Sequence, residues 1–406
     1  MSLTPTRRTV LKSGAAAAGA AAALGTSGSL LTDLVRMPRA YGAPPTGRLV
    51  VLFLRGAQDG LSAVVPYTET AYYDARPTIA VPADQVLDLD GQFGFHPTMA
   101  QLHTLYQANR LAVVVGAANL AGNRSHFTAQ DLWEWGAVSA PPDGSGWLGR
   151  YLEDSSVGGE SDFRGITLGS NVTKSLQGYP ALGIAAITEF GLGGQSGTTA
   201  GLEGLVRDQY GGGATIEATG VRALDAAASV GGLSGSTANN AITRAFADIA
   251  VLLEANLGTE VVTVDISGWD THNDMGTIAT GRMRTLLAAL DGYLGTFQAD
   301  LDARGLTDVT TVVMTEFGRR VAENGTGGTD HGWGSVMMAF GNAINGGAVY
   351  GDWPGLAPGV IGARGDVLPT TDFRNVLGDL ARDVLGVGDP SSLFPGHAYT
   401  PVGISS

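Results

Sequence analysis

The chain has 406 residues, a formal net charge of −14, 44% hydrophobic residues, only 15% charged residues and no cysteine. Length and hydrophobic content suit one large globular domain or two ordinary ones and exclude a mostly disordered chain. The missing cysteine excludes disulfides, thiolate zinc sites, iron–sulfur clusters and cysteine nucleophiles, and the acidic balance argues against nucleic-acid binding, which needs clustered cations.

The first forty residues read as an address. Thr6-Arg7-Arg8-Thr9-Val10-Leu11-Lys12 precedes an alanine-rich run from Ala15 to about Leu31, the pattern of a twin-arginine export signal. Thr26, Ser27 and Ser29 interrupt the run and make it a poor permanent membrane span. The small residues around Ala40-Tyr41-Gly42-Ala43 predict a signal peptide over 1–42 and one mature domain over 43–406. The expected partner is the twin-arginine export machinery, and the expected destination is the periplasm, cell envelope or exterior. Removing 1–42 takes away Arg7, Arg8, Lys12, Arg36 and Arg39 against one acid, Asp33, so the mature chain is more acidic still.

Residues 49–54 form a continuous apolar run ended by Arg55-Gly56, as expected of a parallel strand buried on both faces. Asp59-Gly60 lies in the turn just beyond. Residues 96–109 have helical spacing with Met99, Leu102 and Leu105 on one face, and 111–116 read as the next buried strand. Ser125 is a good N-cap for a helix reaching Trp135. Residues 166–240, rich in Gly, Ser and Thr, are expected to be a loop-rich insertion. A helix is predicted over 240–256, with Ile242, Phe246, Ile249 and Leu253 on one face. A strand follows over 259–266, ending in Gly268-Trp269-Asp270-Thr271-His272. A helix over 283–301 and a strand over 309–314 come next, the strand ending in Thr315-Glu316-Phe317-Gly318-Arg319. A glycine-rich loop leads to Asp330-His331, then a strand over 336–340 and a C-terminal helix over 371–385. The fold class expected from this alternation is α/β, a central, mostly parallel sheet with helices on both faces.

Acids and histidines recur at the strand exits: Asp59, then Ser125 and His126, then Asp270 and His272, then Glu316. The carboxyl ends of parallel strands form the ligand crevice of such sheets. Oxygen and imidazole donors without sulfur suit zinc, magnesium, manganese or calcium. Asp330-His331 joins the set from inside the glycine loop.

Seven segments together carry a family resemblance: Arg55-Gly-Ala-Gln-Asp59-Gly-Leu, Arg124-Ser-His-Phe-Thr-Ala-Gln-Asp131, Gly146-Trp-Leu-Gly-Arg150, Gly268-Trp-Asp-Thr-His272, Thr315-Glu-Phe-Gly-Arg319, Asn324 to Gly332 and Val349-Tyr-Gly-Asp-Trp-Pro-Gly355. The chain resembles the domain-of-unknown-function family 1501 of exported bacterial proteins, which is similar in turn to the alkaline phosphatase and sulfatase superfamily. That resemblance implies an alkaline-phosphatase-like fold and two divalent metal ions. Asp59 would be the first ligand, Asp270 and His272 would hold one metal, and Glu316 the other. His126 and Asp330-His331 complete the ligand set. Ser125 would take the nucleophile position, with Thr128 an alternative, and Arg319, Arg124 or Arg150 would grip phosphate oxygens.

The implied activity is metal-dependent hydrolysis of a phosphate or related ester, on a small-molecule or glycan substrate. Sulfatase chemistry is disfavoured: no cysteine is present to become formylglycine, and Ser125-His-Phe-Thr lacks the proline and arginine expected for serine-type conversion. The alternative is a non-catalytic envelope protein that binds a glycan or a protein partner, with Trp133, Trp135, Trp147, Trp333 and Trp353 as stacking surfaces.

Overall fold

Residues 47–157, 160–190, 204, 207–208 and 215–406 are described in the computed structural model. The twin-arginine segment and most of the glycine-rich stretch 191–214 lie outside the described residues.

Nine strands form one twisted sheet: β1 (Arg48–Arg55), β2 (Leu111–Ala118), β3 (Gly165–Leu168), β4 (Leu182–Ile184), β5 (Val261–Ser267), β6 (Val309–Met314), β7 (Ser335–Gly341), β8 (Ala348–Tyr350) and β9 (Thr371–Asp372). The order is β8–β2–β7–β6–β1–β5–β3–β4, and β9 pairs with β2. All the pairings are parallel except those of β7, which runs antiparallel to both β2 and β6. The expectation of a mostly parallel sheet is met.

β1 shows why the apolar run is continuous. Side chains alternate across a strand. Val50, Leu52 and Leu54 join the core on one face, and Leu49, Val51 and Phe53 join the core on the other. All six are nearly inaccessible, each contributing roughly 1.5–3 kcal/mol of burial.

Helices cover both faces. The first core packs against α1 (Ala100–Gln107), α5 (Ala241–Glu254) and α6 (Arg282–Ala303) through Leu102, Phe246, Ile249, Leu287 and Phe297. α4 (Thr215–Val230) adds Ala226 and Val230 on that side. The second core packs against α2 (His126–Trp135), α3 (Trp147–Asp154) and α7 (Phe373–Asp383) through Trp133, Trp147, Leu148, Phe373, Val376 and Leu380.

The segment expected as an insertion differs from that reading at its start. β3 and β4 extend the main sheet beyond β5, in register Ile166 opposite Val262 and Ile166 opposite Leu182. Both strands are short, and Gly165, Gly169 and Gly183 break their apolar pattern, so the sequence reads as loop.

The parallel strands bring the exits of β1, β5 and β6 side by side, because β1 lies between the other two. That adjacency carries Arg55-Gly56, Asp270 and Glu316 to one edge. Gly56 makes the turn tight. Its φ is +119°, and a Cβ there would meet the Asp270 backbone nitrogen at 2.5 Å.

Candidate metal centre

His126 is the first residue of α2, with Ser125 at the N-cap. Four and eight residues on, Gln130 and Glu134 fall on the same helix face. Gln130 Nε2 donates to Glu316 Oε1 at 2.8 Å, while Glu134 pairs with Arg55. The His126 ring therefore stands beside Glu316, and its Nδ1 lies 2.7 Å from Glu316 Oε1. Phe317, buried, packs against the rings of both His126 and His331.

The glycine loop brings in the rest. It folds back onto the segment after β5. Thr329 N–H donates to Thr271 O, Met275 N–H to Gly327 O and Asn324 Nδ2 to His272 O. A Cβ on Gly328 would collide with the His272 carbonyl, so glycine is what permits the approach. His331 Nδ1 then lies 2.9 Å from the Arg124 carbonyl, and His272 Nδ1 lies 3.3 Å from Asp330 Oδ1.

These contacts fix two imidazole tautomers. A carbonyl or a carboxylate can only accept, so in the neutral rings of His126 and His331 Nδ1 carries the hydrogen and Nε2 keeps its lone pair, while His272 has a carboxylate at both nitrogens. All three Nε2 atoms turn toward Asp270. His126 Nε2 is 3.6 Å from Asp270 Oδ2, His272 Nε2 is 3.2 Å from Oδ1 and His331 Nε2 is 3.7 Å from Oδ1. The Nε2 atoms of His272 and His331 are 2.9 Å apart. His126 Nε2 is buried and has no hydrogen-bond partner.

Two imidazole nitrogens 2.9 Å apart and an orphaned third beside a carboxylate fit a cation. Ligands about 2.1 Å from one tetrahedral ion lie roughly 3.4 Å apart, close to the spacings here. One ligand atom from each of His126, Asp270 and His331 lies within 4.8 Å of the others. The oxygen acceptors behind the rings are the outer partners that orient metal-binding histidines.

Charge supports the same state. Burial would raise the Asp270 pKa, but hydrogen bonding and the charge of Arg319, with His272 and His126, outweigh it and hold the group below its ordinary value. Glu316 is likewise held low against its burial, by His126, Gln130 and backbone N–H groups. Burial lowers the His331 pKa. The Arg124 carbonyl opposes this, while Arg319, His126 and His272 add to the lowering. The ring is thus kept neutral.

The structure brings together His126, Asp270, His272 and His331, with Glu316 and Asp330 behind the rings. It keeps Asp59 apart. That carboxylate is fully buried and paired with Arg76, at 2.5 Å to Nη1 and 2.9 Å to Nη2, and it also accepts from Ser62 Oγ at 2.6 Å. The expected ligand role is corrected here, because both oxygens are taken up by fixed donors.

Arg319 is corrected too. Its side chain is inaccessible, and its guanidinium donates to Ala57 O, Gly56 O, Thr329 O and Asp270 Oδ1. It fastens Asp270 to the turn after β1 and has no face for a substrate. Arg150 likewise holds the carbonyls of Ser145, Trp135 and Leu393, and Arg124 pairs with Asp366 and lies over Trp333. Trp133 and Trp147 are core residues, not stacking surfaces. Ser125 is exposed, immediately before His126, and its hydroxyl makes no cap hydrogen bond.

Sequence reasoning missed Arg76, Gln130 and Arg320. Gln130 carries a signal, its i+4 spacing from His126. Arg76 carries none, because its partner is reached through the turn after β1. Arg320 follows Arg319 directly, and 42% of its side chain is exposed, with Nη1 3.6 Å from Asp330 Oδ2.

A mostly parallel α/β sheet, with histidines and a carboxylate from its strand exits and from the glycine loop meeting at one edge, defines an α/β protein with a candidate metal centre. The family model described as "Protein of unknown function (DUF1501)" matches residues 136–367, more than half of the chain, and the protein belongs to that family. The matched segment contains Asp270, His272, Glu316, Arg319, Asp330 and His331; Asp59, Ser125 and His126 lie outside it.

Among solved structures the chain is similar to Ps i-CgsB in complex with k-i-k-neocarrahexaose, at TM-score 0.42 and 10% identity, covering 87% of this chain and 75% of that one. It is also similar to the PsFucS1 sulfatase from Pseudoalteromonas sp., at TM-score 0.38 and 12% identity, covering 92% and 76%. A third is the lipoteichoic acid synthase LtaP from Listeria monocytogenes, at TM-score 0.32 and 13% identity; the alignment covers 69% of this chain and 58% of that one. No curated protein matches the sequence. Among the described residues no helix is long and apolar enough to cross a membrane.

Proposed function

We propose that this protein is an exported, metal-dependent hydrolase of phosphate or related esters, working at the cluster of His126, Asp270, His272 and His331. The observation that carries the reading is the convergence of three imidazole Nε2 atoms on one carboxylate, each ring oriented from behind by an oxygen acceptor. The twin-arginine pattern of Arg7-Arg8 supports export.

A divalent ion there would supply Lewis-acid polarisation of a bound ester oxygen. The chain's own groups do the remaining work. His126, His331 and Asp270 hold the ion, and His272 is placed as a further donor. Ser125 stands at the exposed N-terminus of α2, where the helix dipole favours an anion. A serine hydroxyl needs its proton removed before it attacks, and a cation beside it would favour the ionised form. Arg320 is the exposed guanidinium at the edge of the cluster and is suited to a substrate oxyanion, because its one side-chain contact is long.

The test is turnover of a panel of phosphomonoesters and phosphodiesters by the full chain with zinc, manganese, magnesium or calcium. Ser125→Ala should lower kcat by at least about 10²-fold. Arg320→Ala should raise KM about tenfold, the value of one charge-assisted hydrogen bond. Bound metal with no turnover on any ester would sink the catalytic reading and leave the alternative, a binding protein that keeps the ion.

A further inference from the structure

The cluster sits among four carboxylates, and their oxygens divide unequally. Both oxygens of Asp59 are held by Arg76, and one also by Ser62. Glu316 Oε1 accepts from Gly56 N–H, from His126 Nδ1 and from Gln130 Nε2, while Oε2 accepts from Thr315 Oγ1. Asp330 Oδ1 faces Asn324 Nδ2 and His272 Nδ1, and Oδ2 faces Arg320. Asp270 differs. Its Oδ1 takes the Arg319 guanidinium and faces His272 Nε2 and His331 Nε2, and among the described residues its Oδ2 has the unpartnered His126 Nε2 as its neighbour, at 3.6 Å.

We infer that the site binds one divalent ion per chain, through His126 Nε2, His331 Nε2 and Asp270 Oδ2 with His272 Nε2 as the fourth donor, and that the guanidinium groups of Arg76 and Arg319 supply the fixed positive charge a second ion would otherwise bring. The inference rests on the metal-centre reading given above. It differs from the two ions that the superfamily resemblance implies.

One divalent ion against Asp270 and three neutral imidazoles leaves little surplus charge. A second ion would find Asp59 and Glu316 engaged and, beyond Asp270, only the exposed Asp330 Oδ2, 3.6 Å from Arg320 Nη1, and it would face Arg319, which is already 2.5 Å from Asp270. Like charges at such separations repel even with the solvent screening that a half-exposed Asp270 receives. For Asp59 to become a ligand it would have to shed Arg76, whose side chain is inaccessible and also donates to the carbonyls of Val321 and Arg320. Stripping a buried guanidinium of its anion costs several kcal/mol. The second cation position is therefore filled by the chain itself.

Metal stoichiometry tests this without reference to turnover. The purified full chain is loaded separately with zinc, manganese, magnesium and calcium chloride, desalted, and measured by elemental analysis and native mass spectrometry. One ion per chain is expected, with affinity reduced at least tenfold in His126→Ala and in His331→Ala. Two ions per chain would overturn the inference and leave the metal-centre reading standing. No ion with any of the four salts would overturn both. One ion retained at full affinity in both histidine variants would overturn the ligand assignment. The wild-type count does not depend on the variants folding, and their circular dichroism shows whether they do.

Discussion

Asp59 and Arg76 form an ion pair from which water is wholly excluded. A buried pair of this kind adds little over an apolar replacement, yet breaking it is costly because one charge is left without a partner. Arg76→Met should therefore destabilise the protein by roughly 3–5 kcal/mol, read as a lower denaturation midpoint. A loss below about 1 kcal/mol would mean that Asp59 finds another partner. The pair also explains why the site was only partly legible. Asp59 after an apolar strand looks like a ligand, and nothing in the spacing of Arg76 announces that it neutralises that carboxylate. Glu316 and Asp330 were legible as members of the cluster. Whether a carboxylate faces an ion or the back of a histidine depends on one side-chain direction, which sequence does not carry. His126, Asp270 and His272 could be singled out because strand exits in a parallel sheet converge, and His331 because it stands beside Asp330 in a glycine loop.

At the scale of elements, His96 sits just before α1, buried, with Nδ1 accepting from Thr98 N–H. Burial and the positive charge of Arg284 push its pKa down to about 4, from an ordinary 6.5. The native ring stays neutral where the unfolded chain takes up a proton, so the native state loses stability as pH falls. This contribution is complete above about pH 6.5 and is lost progressively toward pH 4, at up to about 1.4 kcal/mol per pH unit. His96→Asn keeps an acceptor for Thr98 and should flatten that part of the slope in denaturant titrations at pH 7, 5.5 and 4.5. Equal slopes in the two proteins would refute the assignment. The long elements were legible from periodicity: 309–314 reads as β6 without adjustment, and α2 starts just after Ser125, which holds the N-cap position without a capping hydrogen bond. β3 and β4 were not, since three or four residues among glycines give no period to read.

Across the whole molecule, sequence-distant segments share one sheet and one site. The donors to the proposed ion come from residues 126, 270–272 and 331, so the site exists only once the chain has folded. That agrees with the proposed twin-arginine route, which carries folded proteins. Replacing Arg7 and Arg8 together by lysine should hold the full-length precursor in the cytoplasm, as read by cell fractionation. Unchanged export of that variant would contradict the route. The C-terminal segment belongs to the same closure. Asp379 on α7, fully buried, accepts from Tyr399 Oη and from the N–H groups of Val402, Gly403 and Ile404, and Ile344 bridges to Ser405.

The central place of β1 has a consequence during synthesis. Its two neighbours are Val261–Ser267 and Val309–Met314, so the nascent chain offers it no native partner until most of the polypeptide has left the ribosome. For that interval a segment apolar on both faces hangs with its backbone groups unpaired, which is the template for strand-to-strand aggregation. Residues 48–55 are thus where a chaperone would find its earliest and longest-lived grip on the newborn protein.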